Sequence, residues 1–577
     1  MYFLNLVISL FFIINLSNFI KYYIKIETKK IFLITILFQI IIGYILSFIL
    51  TIDFIFFTFL LLNIFCLIKN LKYKFILEIN PLMYFVFTYF VFAQITFNRY
   101  YLDYDEFTYW GQVLKYFGKS LDYEILLDKT TFWHGTFSDI TSAVYKKNPF
   151  YHPVGVPIYI SINSYIAGYT EYASIFYNNL IVLTGFFYLF FQKEEKYYNF
   201  LKFFIFYLLI NNLSFGLISI YVDPIISVIF GCILMEIFKN NKNNSHLIIV
   251  ILTLSLLALH RSGIVYAFYS LLLILFFNNK NFFSKYSLII FLFILLGIFS
   301  SYSVLANLNY NYFVFNSVDL FDYIINAFSV PIYFSSFGAT LNTIFELTNY
   351  NFKIDLFQIS IFFWFIIISF FILFSKKNKF IFLSFLVLTF FHLIILFFEK
   401  INLPNMSLLV IGRYMSLLFL SYFLFLSSKL STNLKIYSLF IILLIAITPS
   451  KTFGLFVTNK VYLSSDKNQK FYLNRMLIKK KFKDELNKNK KIIVIDNGQL
   501  SKGMSRENRD YYFDIIKYEV YPKKLTFLND VNDNTLKKYI NFENVYFVSL
   551  NLNKVSSEKF DKMFLRYNLK YQNILLN

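Results

Sequence analysis

The sequence predicts an all-α polytopic membrane protein with about 13–15 transmembrane helices, followed by a small C-terminal α/β domain. Its 577 residues are 58% hydrophobic, with a mean hydropathy of +0.59. That is too apolar for a typical soluble chain. The apolar residues come in blocks long enough to cross ~30 Å of hydrocarbon. Beyond residue 460 or so the composition becomes that of a soluble protein.

About fifteen apolar blocks follow one another, several of them shorter than an ideal span of ~20 residues. They cover residues 3–20, 31–50, 53–69, 82–97, 153–168, 172–191, 200–218, 224–238, 246–259, 263–277, 286–305, 356–375, 380–398, 406–427 and 434–449. Basic residues from Lys21 to Lys30 follow the first block where a cleaved signal would have small residues. We therefore expect a retained helix.

Loop charges predict the topology, because Lys and Arg accumulate in short cytoplasmic loops. Basic or mixed clusters lie at residues 21–30, 70–74, 193–196, 239–242, 376–379 and 429–435, and the acids lie in the alternate connections. This pattern puts the N-terminus, loop 98–152 and the C-terminal domain outside the cell.

The abundance of Lys, Asn, Ile, Phe and Tyr suggests a bacterial source, and hence the inner (plasma) membrane.

One stretch conflicts with this alternation. Residues 153–191 look like two helices split at Ala167, Gly168 and Tyr169. The loop charges require an odd number of crossings there. One of the two halves would then be re-entrant or would lie along the interface.

Four segments are predicted. They are the N-terminal helices (1–97), an external loop with interfacial helices (98–152), a transmembrane core (153–450) that includes an external segment (307–355), and a soluble domain (451–577).

The soluble domain carries 25 Lys and Arg against 13 Asp and Glu. Outside the cell this excess would face anionic lipid or solvent, so no nucleic acid is expected. Strands are predicted at 491–496 and 544–550, and helices at 508–518 and 556–567. Because no glycine-rich phosphate loop is present, no nucleotide is assigned.

An acid cluster gives the strongest functional signal. Asp103, Asp105 and Glu106 follow directly on an apolar block, and Trp110 and Gly111 come next. Acids this close to hydrocarbon are costly and usually mark chemistry or substrate binding. A carboxylate here could remove a proton from a hydroxyl group. The alternative is a solvated loop that happens to be acidic.

Further candidates lie where the chain enters helices. His152, between Tyr151 and Pro153, could orient a carboxylate or a phosphate, or it could be incidental to a proline-capped helix start.

The two cysteines, Cys66 and Cys232, lie inside apolar blocks and indicate neither a disulfide nor a metal site.

Arginine is used sparingly, since only seven of the 54 basic residues are Arg. Arg261 and Arg413 lie in or at the ends of apolar helices, and Tyr414 follows the second. A guanidinium binds phosphate bidentately, which predicts an anionic ligand. The structural alternative is pairing with Asp223 or with an acid of loop 98–152. Asp223 could also bind substrate or a divalent cation. His392 is interpreted as a histidine whose hydrogen bonds are satisfied within the helices.

Together these elements resemble the GT-C superfamily of integral membrane glycosyltransferases, which take sugar from a polyprenyl-phosphate donor. The branch of protein mannosyltransferases and lipid A aminoarabinose transferases is the most similar. The likeness covers roughly residues 80–430. The matching motifs are Asp105–Gly111 in the first large external loop, Tyr151–Pro153 at the next helix start, Arg261–Gly263 and Arg413–Tyr414. Arg261 stands where Lys is common in the family.

The resemblance implies inverting transfer of a sugar to an extracytoplasmic glycan, lipid or protein. The loop acid Asp105 would be the base, and Glu106 and His152 would position the acceptor. Arg413, with Arg261, would hold the leaving polyprenyl phosphate.

Asp103 and Tyr414 are further candidates for substrate binding. No cofactor is required, although Asp103 and Asp223 could hold a divalent metal. Two alternatives remain open. A polysaccharide or O-antigen polymerase would depend on basic residues in external loops. A flippase or transporter of lipid-linked glycan would show mid-membrane polar residues and internal repeats.

Overall fold

The computed structural model divides the chain into two compact units, Met1–Arg99 with Phe117–Val457, and Tyr100–Tyr116 with Thr458–Asn577. The structure describes residues 2–47, 50–72, 76–97, 110–111, 113–114, 153, 155–166, 168–191, 222–238, 245–277, 331–333, 358–360, 365–366, 368–369, 372–373, 379–402, 408–429, 473, 475–478, 480, 491–495, 525–528, 532–537, 545–550, 554–569 and 571–574.

Helices dominate the described part of the first unit. In chain order they are α1 (Tyr2–Ile24), α2 (Thr28–Leu46), α3 (Ile52–Lys72), α4 (Ile79–Thr96), α5 (Gly155–Ser164), α6 (Glu171–Phe190), α7 (Asp223–Phe238), α8 (Ser245–Leu259), α9 (Arg261–Phe277), α10 (Lys379–Asn402) and α11 (Leu408–Lys429).

Among the described residues, five helices are long and apolar enough to cross a membrane. They are α1, α2, α3, α6 and the stretch Lys379–Phe397 of α10. Side chains of α3 such as Leu61, Ile68 and Leu71 are exposed, as expected for a surface that contacts lipid. The prediction of a mostly helical chain with helices long enough to span a membrane is thus confirmed. The blocks at 200–218, 286–305 and 434–449 lie outside the described residues, and the count of 13–15 helices stays a prediction.

Several helix boundaries differ from those of the predicted blocks, and the next two differ for separate reasons. The block at 356–375 does not begin as a helix, because Gln358–Ser360 (β2) pairs antiparallel with Pro331–Tyr333 (β1). Block 31–50 begins earlier than predicted, since α2 starts at Thr28 and so includes Lys29 and Lys30. Hydropathy alone finds neither boundary, because apolar strands score like helices and a lysine lowers the score of a helical turn.

The stretch 153–191 contains one long helix and one short helix. Helix α5 has ten residues and rises about 15 Å, half of the hydrocarbon thickness. Helix α6 has twenty residues and is long enough to cross. Gly168, with φ of +77°, lies in the turn between them, at the predicted split. A single crossing by α6 would give the odd number that the loop charges require, and the topology stays a prediction.

Helix α5 begins inside the bundle. A Cβ built on Gly155 would lie 2.5 Å from the carbonyl oxygen of Ala258 and 3.0 Å from Ile40. Ile40 lies six residues before the end of α2, about 9 Å along the helix. At its other end α5 is followed by Tyr165, whose hydroxyl donates to Asp53 at the start of α3 (2.8 Å). Burial, with this bond, raises the pKa of Tyr165 to about 12.

The bundle has two ends that are distinguished by helix direction. Gly231 of α7 packs against Ser421 and Leu424 of α11, and Phe238 contacts Phe425 further along. Helices α7 and α11 therefore run side by side in the same direction. We call the end where they begin the Asp223 end. The opposite end, where α2 begins and α6 and α7 finish, is called the Lys30 end.

In the second unit, four parallel strands form a sheet in the order β4-β3-β5-β6. They are β3 (Lys491–Ile495), β4 (Leu525–Leu528), β5 (Val545–Leu550) and β6 (Tyr571–Ile574), with helices α12 (Asp533–Lys537) and α13 (Lys554–Arg566). Ile493, Phe547 and Phe564 are buried together between the sheet and α13. The helix predicted at 508–518 lies outside the described residues, and the full extent of the domain stays a prediction.

Candidate functional site

The acid cluster itself, Asp103, Asp105 and Glu106, lies outside the described residues, as does His152. Their described neighbours are buried. Trp110, which follows the acids, is 5% exposed, and Val113 and Leu114 are also buried. Pro153, which follows His152 in the chain and lies two residues before the start of α5, is also buried.

Asp223 is the first residue of α7 and is only 4% exposed. The helix direction puts it at the same end of the bundle as the starts of α9 and α11. Its carboxylate lies within electrostatic range of the Tyr266 hydroxyl on α9. Within the described stretches, no three His, Cys, Asp or Glu side chains lie close enough together to hold a metal ion. Its role as a metal ligand stays a prediction.

The two predicted arginines lie at this Asp223 end by their backbone positions. Arg261 is the first residue of α9, and Arg413 lies in the second turn of α11. Their side chains are outside the described part of the structure. Tyr414 is partly buried beside Arg413.

The turn before Arg261 is tight. The close approach extends into the first turn of α9, where a Cβ on Gly263 would lie 2.0 Å from the carbonyl oxygen of Leu256 on α8, so only glycine fits there. Because Gly155 packs against Ala258 near the end of α8, the start of α5 lies close to this turn. The structure therefore brings the chain next to His152 and the chain next to Arg261 together.

A buried group that we call the Tyr–His cluster joins three helices at this end. It consists of Tyr266 and Tyr269 on α9, His392 on α10 and the backbone carbonyl of Tyr414 on α11. The Tyr269 hydroxyl is 2.9 Å from His392 Nδ1, and His392 Nε2 is 3.2 Å from the Tyr414 carbonyl oxygen. The Tyr266 and His392 ring centroids are 5.7 Å apart. The interpretation of His392 as a satisfied histidine is confirmed.

The Tyr–His cluster was not predicted as a unit. A carbonyl oxygen can accept only, so His392 Nε2 carries the proton and Nδ1 accepts from Tyr269. The Tyr266 hydroxyl is fully buried and has no hydrogen-bond partner among the described residues. A single histidine in an apolar helix gives no signal of its partners. Tyr269 lies 123 residues before His392, and Tyr414 lies 22 residues after it.

A second buried polar group, which was not predicted, lies at the Lys30 end. Lys30 Nζ lies 2.5 Å from Glu236 Oε1, and their side chains are 6% and 3% exposed. The Tyr188 hydroxyl donates to the same oxygen at 2.6 Å. The Lys30 ammonium also lies 5.2 Å from the centre of the Tyr188 ring. This group joins α2, α6 and α7.

No protein-family model, curated protein or solved structure matches this chain. The resemblance to GT-C glycosyltransferases therefore depends on the sequence motifs quoted above.

Proposed function

We propose that this protein is an inverting membrane glycosyltransferase that moves a sugar from a polyprenyl-phosphate donor to an extracytoplasmic glycan, lipid or protein. One observation carries the proposal. Asp223, Arg261 and Arg413, which the sequence singles out separately, belong to helices that begin at the same end of one bundle. A donor with a lipid tail reaches such a site from the bilayer, which accounts for a membrane-embedded enzyme.

In the proposed reaction Asp105 removes the proton from the acceptor hydroxyl as the sugar is transferred. Glu106 and His152 position the acceptor, while Asp103 and Tyr414 contribute to substrate binding. The departing phosphate gains negative charge, and preorganised positive groups stabilise that charge most where water is excluded. A guanidinium pairs with phosphate through two parallel hydrogen bonds.

Arg413, assisted by Arg261, is the group proposed for that phosphate. The proposal includes a GT-C-like fold of about 13–15 spanning helices. It further includes a bacterial inner membrane location and an extracytoplasmic domain at residues 451–577. No cofactor is needed for this chemistry, and a divalent metal at Asp103 and Asp223 would assist the phosphate.

The test uses purified protein in lipid nanodiscs with a panel of polyprenyl-phosphate sugars and envelope acceptors. Release of polyprenyl phosphate and transfer of sugar are followed by mass spectrometry. Asp105→Asn is expected to lower the rate about 10²–10⁴-fold, since it removes a general base. Asp128→Asn, which alters another acidic residue of the same predicted loop, is the matched control. Full activity of Asp105→Asn would contradict the mechanism and favour a polymerase that uses basic loop residues.

A flippase or transporter of lipid-linked glycan is the second candidate, and helix α5 favours it. Transporters often contain short, interrupted helices that begin within the membrane. Surface glycans and lipid-linked oligosaccharides of a deletion strain separate the two functions. Loss of one sugar residue supports transfer. Unchanged glycan composition with altered export supports transport.

A further inference from the structure

We infer that His392 is a positioning residue for the donor-phosphate side of the proposed site. Its ring joins Tyr269 on α9 to the backbone of Tyr414 on α11. It therefore fixes the helical turn that carries Arg413 against the helix that begins with Arg261. This inference rests on the proposed function.

The contacts of His392 are specific to that turn. The histidine is 4% exposed, and both ring nitrogens are hydrogen-bonded. In a helix the Tyr414 carbonyl also accepts the N–H four residues later, so the imidazole uses its second lone pair. A bond to backbone holds the turn whatever side chain residue 414 carries. Such a bond restrains the backbone of the helical turn that contains position 413.

Aromatic rings keep the imidazole in place. Tyr266 and Tyr269 lie edge-on to it, with ring centroids 5.7 and 5.8 Å away. Phe230 of α7 packs against Tyr266 at 5.1 Å. The helix that starts at Asp223 is thereby connected to the same cluster. Three of the helices that begin at the Asp223 end thus contact one another through the Tyr–His cluster.

The same pair of helices offers a matched control. Ser384 Oγ on α10 is hydrogen-bonded to the Tyr422 hydroxyl on α11 at 2.9 Å. Tyr422 lies nine residues beyond Arg413, about 14 Å along the helix. Ser384→Ala removes an α10–α11 hydrogen bond far from the proposed phosphate site. If His392 only stabilises the packing of α10 on α11, loss of its hydrogen bonds and loss of the Ser384 hydrogen bond should change the donor KM equally.

The experiment measures binding of a C55 polyprenyl monophosphate in nanodiscs, together with KM and kcat for the polyprenyl-phosphate sugar. His392→Phe keeps an aromatic ring and removes both hydrogen bonds. We expect it to weaken phosphate binding and raise the donor KM about tenfold, with kcat changed less than about threefold. His392→Gln keeps a donor for the Tyr414 carbonyl and is expected to stay within about threefold of wild type. Ser384→Ala is expected to leave KM unchanged.

Equal phosphate binding and KM for His392→Phe and wild type would overturn the inference, as would an equal rise in KM for Ser384→Ala. If His392→Phe does not fold, Tyr269→Phe, which removes one of the two bonds, still has to raise KM about threefold. An unchanged KM in that variant overturns the inference. A wild-type protein that binds no polyprenyl phosphate overturns the proposed function itself, which is a distinguishable result.

Discussion

The two ends of the helical bundle bury polar groups in different ways. At the Lys30 end, opposite charges on α2 and α7 meet at 2.5 Å, and the Tyr188 hydroxyl donates to the same carboxylate. At the Asp223 end, the Tyr–His cluster joins α9, α10 and α11 through an uncharged ring. Beside it lie a buried carboxylate and the starts of the helices that carry Arg261 and Arg413.

From this difference we infer that a buried charge does not by itself mark a reactive site. Ionisable groups within membrane helices are functional candidates by default. Yet the shortest ion pair among the described residues, Lys30 with Glu236, is enclosed by side chains that contact it, so we interpret it as joining helices. The Asp223 end combines a tight glycine turn, a short helix and a hydroxyl without a described partner. Such irregular features lie where we propose that substrate binds.

The largest expected effect tests whether the Lys30 end is structural. Lys30→Met leaves the Glu236 carboxylate buried without its cation, which costs about 3–5 kcal/mol when one partner of a buried pair is removed. Cys66 and Cys232 are both buried and free, so a thiol-reactive fluorogenic dye reports unfolding in detergent. The transfer rate per folded molecule is expected to stay at the wild-type value. A lower rate in the folded fraction would break the distinction between the two ends.

Two further variants serve as controls for that prediction. Lys30→Met combined with Glu236→Leu removes both charges and should recover most of the lost stability. Lys29→Met alters the adjacent lysine, which pairs with the half-exposed Glu27 at 3.7 Å and donates to the Phe191 carbonyl at 3.0 Å. Its cost should be below about 2 kcal/mol, since one surface ion pair and one hydrogen bond are lost. A double variant as unstable as Lys30→Met would show that the pair is not the source of the effect.

The second prediction tests the Asp223 end. Arg413→Lys keeps the positive charge but loses the two parallel donors that match a phosphate. We expect kcat/KM for the polyprenyl-phosphate sugar to fall about 10–100-fold, with no change in the unfolding temperature. Arg261→Lys is expected to be tolerated better than Arg413→Lys, because lysine is common at that position in the enzymes that the sequence resembles. Equal tolerance at both positions would remove Arg413 from the phosphate site.

Much of the helical fold could be predicted from the sequence, because spanning helices need long apolar runs. Helix α6 begins and ends within one residue of its predicted block. Helix α5 is six residues shorter than its block, since apolar content continues through Pro153 and the turn around Tyr165. Hydropathy measures apolar length, and it cannot tell where helical hydrogen bonding stops.

The candidate site could be predicted less completely than the helices. Single residues of unusual type, such as Arg413 and Asp223, stand out in a lysine-rich and apolar chain. Pairs of interacting residues do not stand out in this way. Lys30 and Glu236 are 206 residues apart, and each resembles a loop charge in sequence. His392 gave no signal beyond its own identity. Which residues meet depends on helix packing, and a single sequence does not record that packing.

The third prediction concerns the short helix α5, which is anchored at its end by Asn163. The Asn163 side chain accepts from Ser9 at 2.9 Å, and its carbonyl accepts from Asn5 at 2.7 Å and from Tyr177 at 3.0 Å. Asn163→Leu should cost about 1 kcal/mol, since the Ser9 hydroxyl is left without this acceptor. If the start of α5 contributes to the site, activity should fall more than stability. Ser164→Ala, which removes only a bond within the helix, is the control.

The smallest expected effect separates the two roles of Tyr188 at the Lys30 end. Tyr188→Phe removes the hydroxyl that donates to Glu236 but keeps the ring beside the Lys30 ammonium. Because interhelical hydrogen bonds in membranes contribute about 0.6 kcal/mol on average, the stability loss should be of that order. Tyr188→Leu, which removes the ring as well, should lose about 0.5–1 kcal/mol more if the cation–π contact is stabilising. The thiol-reactive dye resolves the two melting curves. Identical curves for the two variants would mean that the ring does not stabilise the buried ammonium, and that Glu236 alone holds it.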